Sequence, residues 1–377
     1  MEELNIFIKQ NEELMYKTLK ELCLIPAPSH KEHMRAEYCK NWLESFGAKD
    51  VHIDDALNVI FPINCDSSSQ ITVFAAHTDT VFPDTEPMPY SDDGEKIFCP
   101  GVADDTACVV TLMLTAKYFI ENSIVPEGGI MFVCNSCEEG LGNLKGTKQL
   151  FTDYSGRIKQ FITFDNQLDQ IADHCVGSHR YEVEVLTEGG HSFGDFGKIN
   201  AIAELSKIVS QIYSIQVPTK GNSVTTYNVG TIEGGTSVNT IAQSAKMLCE
   251  YRSDNHECLA IMQEKFEAIF ASCQSDKVKV NVTKVGDRPC ANIDFNKVET
   301  LKQIVVPIIE NIVKKDISCC CMSTDCNVPL SLGVPALCIG TNTHGGIHTR
   351  EEWLEKDSLI PGQKIAIETA LALTKAE

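Results

Sequence analysis

Positive charge is scarce in this 377-residue chain. Thirty-two lysines and arginines stand against 52 aspartates and glutamates, a formal net charge of −20. That balance argues against nucleic acid or an anionic membrane as a partner. Long apolar runs are also missing. Nothing approaches the roughly 18 consecutive apolar residues of a membrane span. The first residues, Met1-Glu2-Glu3-Leu4, are acidic, and no basic segment precedes an apolar one. A secretion signal is therefore not expected, and the expected compartment is the cytoplasm. Cysteine, by contrast, is plentiful at 17 residues. In that compartment these read as reduced thiols, many of them buried as small hydrophobes. Cys319-Cys320-Cys321 with Cys326 lacks C-x-x-C spacing, and neighbours on a strand point opposite ways. A metal cluster is not expected there.

The length suits two domains rather than one core. Helical periodicity covers residues 6 to 46, interrupted at Pro26-Ala27-Pro28-Ser29, with a second helix starting at Ser29 or His30. His30 and His33 on that helix read as solvated surface. Strands are expected at 51–53, 58–62, 71–76 and 97–99. Thr106 to Ile120 is an apolar helix with little polar face, suited to packing on a sheet. Further strands follow at 129–134 and 161–164.

The middle of the chain changes character. Strands at 181–187, 224–232, 245–251 and 278–285, with helices at 198–213 and 256–273, give the order βαββαβ of a ferredoxin-like unit. Helix 295–314, with a kink expected at Pro307, strand 335–339 and helix 359–373 then return to α/β character. The expected organisation is an α/β domain of residues 1–175 and 287–377, interrupted by a smaller α+β domain of residues 176–286.

The informative pattern lies at strand ends. The run Ile71 to Ala76 ends in His77-Thr78-Asp79. Alone, that tripeptide reads better as a turn histidine with a capping aspartate. But Asp104-Asp105 follows the next strand and loop, Glu138-Glu139 follows the strand at 129–134, and Asp165 follows the strand at 161–164. His348 lies in a loop after the last strand. Ligands of α/β sheets bind beyond the carboxyl ends of strands. Two histidines and three carboxylates suffice for two divalent metals, one carboxylate bridging. The mixed N/O donors point to zinc, with cobalt or manganese as alternatives. One glutamate of the Glu138-Glu139 pair is left over. On an extended backbone the two point apart, so one can meet metal while the other faces substrate as a proton carrier.

Taken together, His77-Thr78-Asp79, Gly101-Val102-Ala103-Asp104-Asp105, Glu138-Glu139-Gly140, Gly190-His191-Ser192, Gly235-Thr236-Ser237-Val238-Asn239 and His348-Thr349 resemble the M20 family of dinuclear zinc peptidases and deacylases, and most closely its peptidase T-like branch. The resemblance runs nearly the length of the chain in the family's order. It implies a three-layer αβα catalytic domain of the phosphorylase/hydrolase-like kind with an inserted ferredoxin-like lid that dimerises, and hydrolysis of a terminal amide of a short peptide or an N-acyl amino acid. It further implies that His77 and Asp165 hold one Zn2+ and Glu139 and His348 the other, with Asp104 bridging. Asp79 would support His77, and Glu138 would be general base and acid. A cis peptide is implied after Asp104. In the lid, His191 would reach a neighbouring subunit's site, and Asn239 and Arg252 would grip substrate. Three departures stand out: Thr106 where a lysine is common, Cys108 in place of a glycine, and His344 in a loop that tends to carry glycines. A substrate contact, an adventitious ligand and a solvated loop residue all fit His344.

Overall fold

A computed structural model describes residues 2–66 and 68–375. The chain divides into two compact units, Met1–Cys175 with Asn292–Glu377, and Val176–Ala291.

The larger unit is built on an eight-stranded mixed sheet. Its order is His52–Ile53, Val59–Ile63, Gly129–Asn135, Ile71–His77, Ile158–Phe164, Ala336–Ile339, Gln170–Cys175 and Ser318–Met322. Ile71–His77 lies at the middle, parallel to both neighbours. It and Gly129–Asn135 are buried along their whole length. Strands covered on both faces have no solvent side to mark with polar residues, and this explains their unbroken apolar runs.

The two covers can be read from aromatic contacts. Phe132 meets Phe74 of the adjacent strand at 5.9 Å and Phe119 of the helix Ala107–Glu121 at 5.3 Å. On the opposite face, Phe161 meets Phe151 of the helix Lys145–Asp153 at 5.8 Å. The result is a three-layer αβα arrangement. The helix Ala107–Glu121 is buried over nearly its whole surface, packed against Leu359–Lys375, Glu12–Cys23 and the sheet. Helix Phe295–Val313 runs through Pro307.

Local pattern misplaced or missed several elements. The helix expected from Ser29 or His30 begins at His33. Ser29 and Glu32 serve the site instead, and His30 is exposed with a positive φ of 71°. The strands Gln170–Cys175 and Ser318–Met322 escape notice because their sequences, QIADHC and SCCCM, hold few β-branched or aromatic residues. The second of these is an edge strand carrying Cys319 to Cys321, of which Cys319 and Cys321 are exposed.

The inserted unit is a four-stranded antiparallel sheet in the order Thr225–Gly234, Ser244–Ser253, Gly177–Leu186, Lys279–Arg288. Its helices, Ala201–Ile212 and His256–Ser272, start at Asn200 and Asn255, whose side chains each accept two backbone N–H groups of the first turn. Strand residues alternate buried and half-exposed. The buried set, including Val183, Val185, Met247 and Tyr251, packs against Leu205, Ile208, Met262 and Phe266 of the helices. This is the ferredoxin-like βαββαβ order, with a separate short antiparallel pair, Gly190–His191 against Thr240–Ile241.

Candidate active site and metal centre

The carboxyl ends of the central strands converge on one cluster. His77 is the last residue of the middle strand, and its backbone N–H donates to Asp105 Oδ2 at 2.9 Å. Its ring is oriented from behind: Nδ1 lies 3.1 Å from the Asp79 carbonyl and 3.4 Å from Asp79 Oδ1. Nε2 lies 3.0 Å from Asp104 Oδ1. On the other side of the same carboxylate, Asp104 Oδ2 lies 3.1 Å from His348 Nε2, which is also 3.2 Å from Glu139 Oε1. One aspartate therefore presents its two oxygens to two different imidazoles.

Two overlapping sets of donor atoms lie within 4.8 Å of one another: His77, Asp104 and Glu139, and His77, Asp105 and Asp165. Asp105 is the member that sequence reasoning left without a role. The bond between Asp104 and Asp105 is cis.

The charge balance fits bound cations. Asp79, Asp104, Asp105, Glu138, Glu139 and Asp165 crowd around two imidazoles. Without a cation the surplus must take up protons. Burial and the Asp104 charge push Glu139 up to about 7 and Asp165 well above the carboxylate range. Burial does the same to Asp105. The imidazoles respond oppositely. Asp104 and Glu139 raise His348 to about 10. Burial opposes protonation of His77, but Asp105, Asp104 and Asp79 outweigh it and lift its pKa well above normal. A site that draws in protons this strongly offers two imidazole nitrogens and several carboxylate oxygens to divalent ions in their place, and the donors present suit them.

Asp79 is the principal brace. Its Oδ1 accepts the Glu138 N–H at 2.9 Å, and its Oδ2 accepts the Glu139 N–H at 3.0 Å and the Ser29 hydroxyl at 2.6 Å. A residue fully out of solvent thus holds the backbone of both glutamates and backs His77. The loop carrying those glutamates is closed at its neck. Asn58 Oδ1 accepts the Ser136 N–H, and its Nδ2 donates to the Gly146 carbonyl. A Cβ at Gly146 would collide with Asn58 and with Ser136. Asp325 accepts from Asn135 at one end of the loop and from Thr147 at the other. Glu32 Oε1 accepts the Cys137 N–H at 3.0 Å.

Glu352 performs a similar task for Asp104. It is buried and accepts from the N–H groups of Gly101, Ala103 and Asp104 at 2.8, 2.8 and 3.1 Å. Arg35, also fully buried, donates to the carbonyls of Ile25 and Thr78 and to the Thr106 hydroxyl. Thr106, at the departure from lysine, thereby ties this turn to the first helices. Asp79 apart, none of these supports stood out in the sequence: Glu352, Arg35, Asn58 and Asp325 stand in no motif.

His191, Asn239 and Arg252 all belong to the inserted unit. The first two are exposed neighbours: the Ser192 N–H donates to the Asn239 carbonyl at 3.0 Å. His191 Nδ1 accepts from the Phe193 and Gly194 N–H groups at 3.2 Å. Arg252 is near the far end of its strand, in a two-pronged pair with Glu250 at 2.8 and 3.1 Å. His344, in the larger unit, is buried rather than solvated. Among the described residues, no helix is long and apolar enough to cross a membrane.

The profile of Peptidase family M20/M25/M40 matches residues 73–372. The chain is 25% identical over 282 residues to the uncharacterized protein YqjE of Bacillus subtilis, spanning 71% of this chain and 73% of that one. Its fold is similar to that of a tripeptidase from Staphylococcus aureus, at 22% identity and a TM-score of 0.74, covering 96% and 99% of the two chains. It is similar as well to the Bacillus subtilis YXEP protein, described as a dinuclear metal binding peptidase of the M20 family, at 16% identity and a TM-score of 0.64, covering 98% and 100%.

Proposed function

The chain belongs to peptidase family M20/M25/M40, and from that membership and the geometry of its cluster we propose a cytoplasmic, dinuclear metal-dependent hydrolase that cleaves the terminal amide bond of short peptides. The observation that carries this reading is the Asp104 carboxylate set between His77 Nε2 and His348 Nε2 at 3.0 and 3.1 Å. His77 and Asp165 would hold one divalent ion, Glu139 and His348 the other, with Asp104 shared. Zinc suits these donors, with cobalt or manganese as alternatives.

When bound, the ions supply Lewis-acid polarisation of the amide carbonyl and lower the pKa of water. The chain supplies the rest. Glu138, whose backbone Asp79 holds, takes the proton from the attacking water and passes it to the leaving amine as the C–N bond breaks. Asp79 keeps His77 in the tautomer that aims Nε2 at the centre. Arg252 would meet a substrate carboxylate by exchanging its Glu250 pair for it, and Asn239 would bind beside it.

His191 would serve a neighbouring subunit in a homodimer formed through the inserted unit. In support, Thr225–Gly234 ends its sheet with an unpaired, largely exposed outer edge that includes Ile232.

A screen of di- and tripeptides against N-acyl amino acids, on protein assayed for metal, tests the reading. Two metals per chain and turnover of peptides with free amino termini are expected. Turnover of N-acyl amino acids alone would make the protein a deacylase, and full activity without metal would sink the mechanism.

A further inference from the structure

The two histidines of the cluster are held differently. His77 closes a buried strand, and Asp79 lies against its Nδ1. A metal-binding imidazole usually has such a partner on its second nitrogen, which fixes the ring. His348 Nε2 meets Asp104 and Glu139, but its Nδ1 has no hydrogen-bond partner among the described residues. Its side chain is 55% exposed, against 1% for that of His77. His348 lies in the turn between the paired strands His344–Gly345 and Trp353–Glu355, where residues 346–351 are all exposed. Its φ is 63°, in the left-handed region that a side chain disfavours and that persists only where surrounding contacts hold it.

Such contacts gather two residues on. Arg350 Nη2 lies 2.7 Å from Asp84 Oδ2, and Nη1 lies 3.3 Å from Met88 Sδ. The guanidinium carbon stands 4.9 Å from the centre of the Phe82 ring. Phe82 and Met88 are buried, so the charged tip is seated on a packed surface although Arg350 itself is exposed. Phe82, Asp84 and Met88 belong to the segment that leaves the middle strand after His77-Thr78-Asp79. One side chain thus ties the turn bearing the second histidine to the segment that follows the first. Thr349, between His348 and Arg350, only closes the turn on itself: its N–H and hydroxyl both donate to the Gly346 carbonyl.

We propose that Arg350 is a positioning residue for His348: by clasping Asp84 it fixes the turn from which the ring reaches Asp104 and Glu139, and so sets the affinity of the metal position that Glu139 and His348 would form. This rests on the dinuclear reading above. Arg350 does through the backbone what Asp79 does for His77 through the ring. An exposed ion pair adds little to global stability. It can still decide where one short, solvated turn sits. A loose turn must be ordered when the ion arrives, and that ordering subtracts from affinity; a turn already held does not incur it.

The test titrates the metal-stripped protein with zinc against a competing chelator. His348→Ala, which should lose one of two binding steps, identifies the step that His348 serves. Arg350→Gln is expected to weaken that step about three- to tenfold and the other less than about twofold. Asp84→Asn should weaken the same step, and the double variant should be no weaker than Arg350→Gln alone, because both changes remove one contact. Equal weakening of both steps would make Arg350 general scaffold and overturn the proposal. So would an unchanged step, or additive effects of the two substitutions. If Arg350→Gln fails to fold, Asp84→Asn is judged by the same criterion. The dinuclear reading fails separately: its failure is an unaltered protein that binds fewer than two ions.

Discussion

Apart from His348, which is exposed, the larger unit holds its polar candidates in the opposite way to the inserted unit. In the larger unit His77, Asp79, Glu138 and Glu139 are 0 to 6% exposed, and their contacts reach across the chain: Asp79 to residues 59 and 60 positions away, Glu352 to one 251 away. In the inserted unit the side-chain hydrogen bonds of His191 and Arg252 are short-range. His191 accepts from N–H groups two and three residues on, and Arg252 pairs with Glu250, two residues back. The first arrangement is locked before any ligand arrives, as reacting groups require. The second leaves its side chains to be organised by what they meet. In the proposed function, chemistry falls to the braced region, and recognition by Asn239 and Arg252 to the open one.

Stripping metal should break the contrast most completely. Dialysis against a chelator is expected to abolish turnover, and re-addition of zinc, cobalt or manganese to restore it. Next in size is Glu138→Gln, expected to cut kcat by about a hundred- to ten-thousandfold while two metals stay bound. An unaltered kcat would remove Glu138 from its role.

Glu352→Ala probes bracing without removing a proposed ligand. It strands three backbone N–H groups, so a loss of about 3 kcal/mol in denaturant unfolding is expected, together with weaker metal binding. An exposed residue such as His191 should behave differently. His191→Ala is expected to move stability by less than about 0.5 kcal/mol and leave metal content alone, yet lower kcat. Mixing it with Glu138→Ala subunits should recover part of the activity if the inserted unit acts across a dimer, and recover none if it does not.

The smallest effect is in proton release. Because its folded pKa is raised above 6.5 to about 10, His348 in the metal-free protein is charged at pH 7. Its contribution to metal-free stability is therefore full below about 6.5 and lost as pH rises through about 10. Metal needs bare nitrogens and ionised carboxylates, so loading at pH 7 should release about two protons from His77 and His348 and a further share from Glu139 and Asp165. Titration calorimetry in buffers of differing ionisation heat would read that number, and it should fall as pH approaches 10.

Most of the proposed donors could be singled out in the sequence for a specific reason. His77, Glu138-Glu139 and Asp165 come just after buried apolar runs, where a histidine or carboxylate is conspicuous in one dimension, whereas Asp104 and His348 lie in loops. Asp105, Glu352, Arg35, Asn58 and Asp325 lack that signature. Asp105 looks like the spare half of a pair, Glu352 like solvated surface, and Asn58 like any polar residue entering a strand. The helix expected from Ser29 shows the same blind spot: periodicity could not foresee that Ser29 and Glu32 would be drawn to Asp79 and Cys137.

What the sequence determined by itself was the alternation of elements, the insertion of one unit in another, and the residues placed at strand ends. These follow from side-chain period and hydrophobicity, which act along the chain. The tertiary structure alone decided that one carboxylate faces two imidazoles, that Asp79 grips the backbone of both glutamates, and that His344 is buried against Asn342 rather than solvated. Those outcomes depend on hydrogen bonds between groups tens to hundreds of residues apart, whose partners are chosen only when the strands lie side by side.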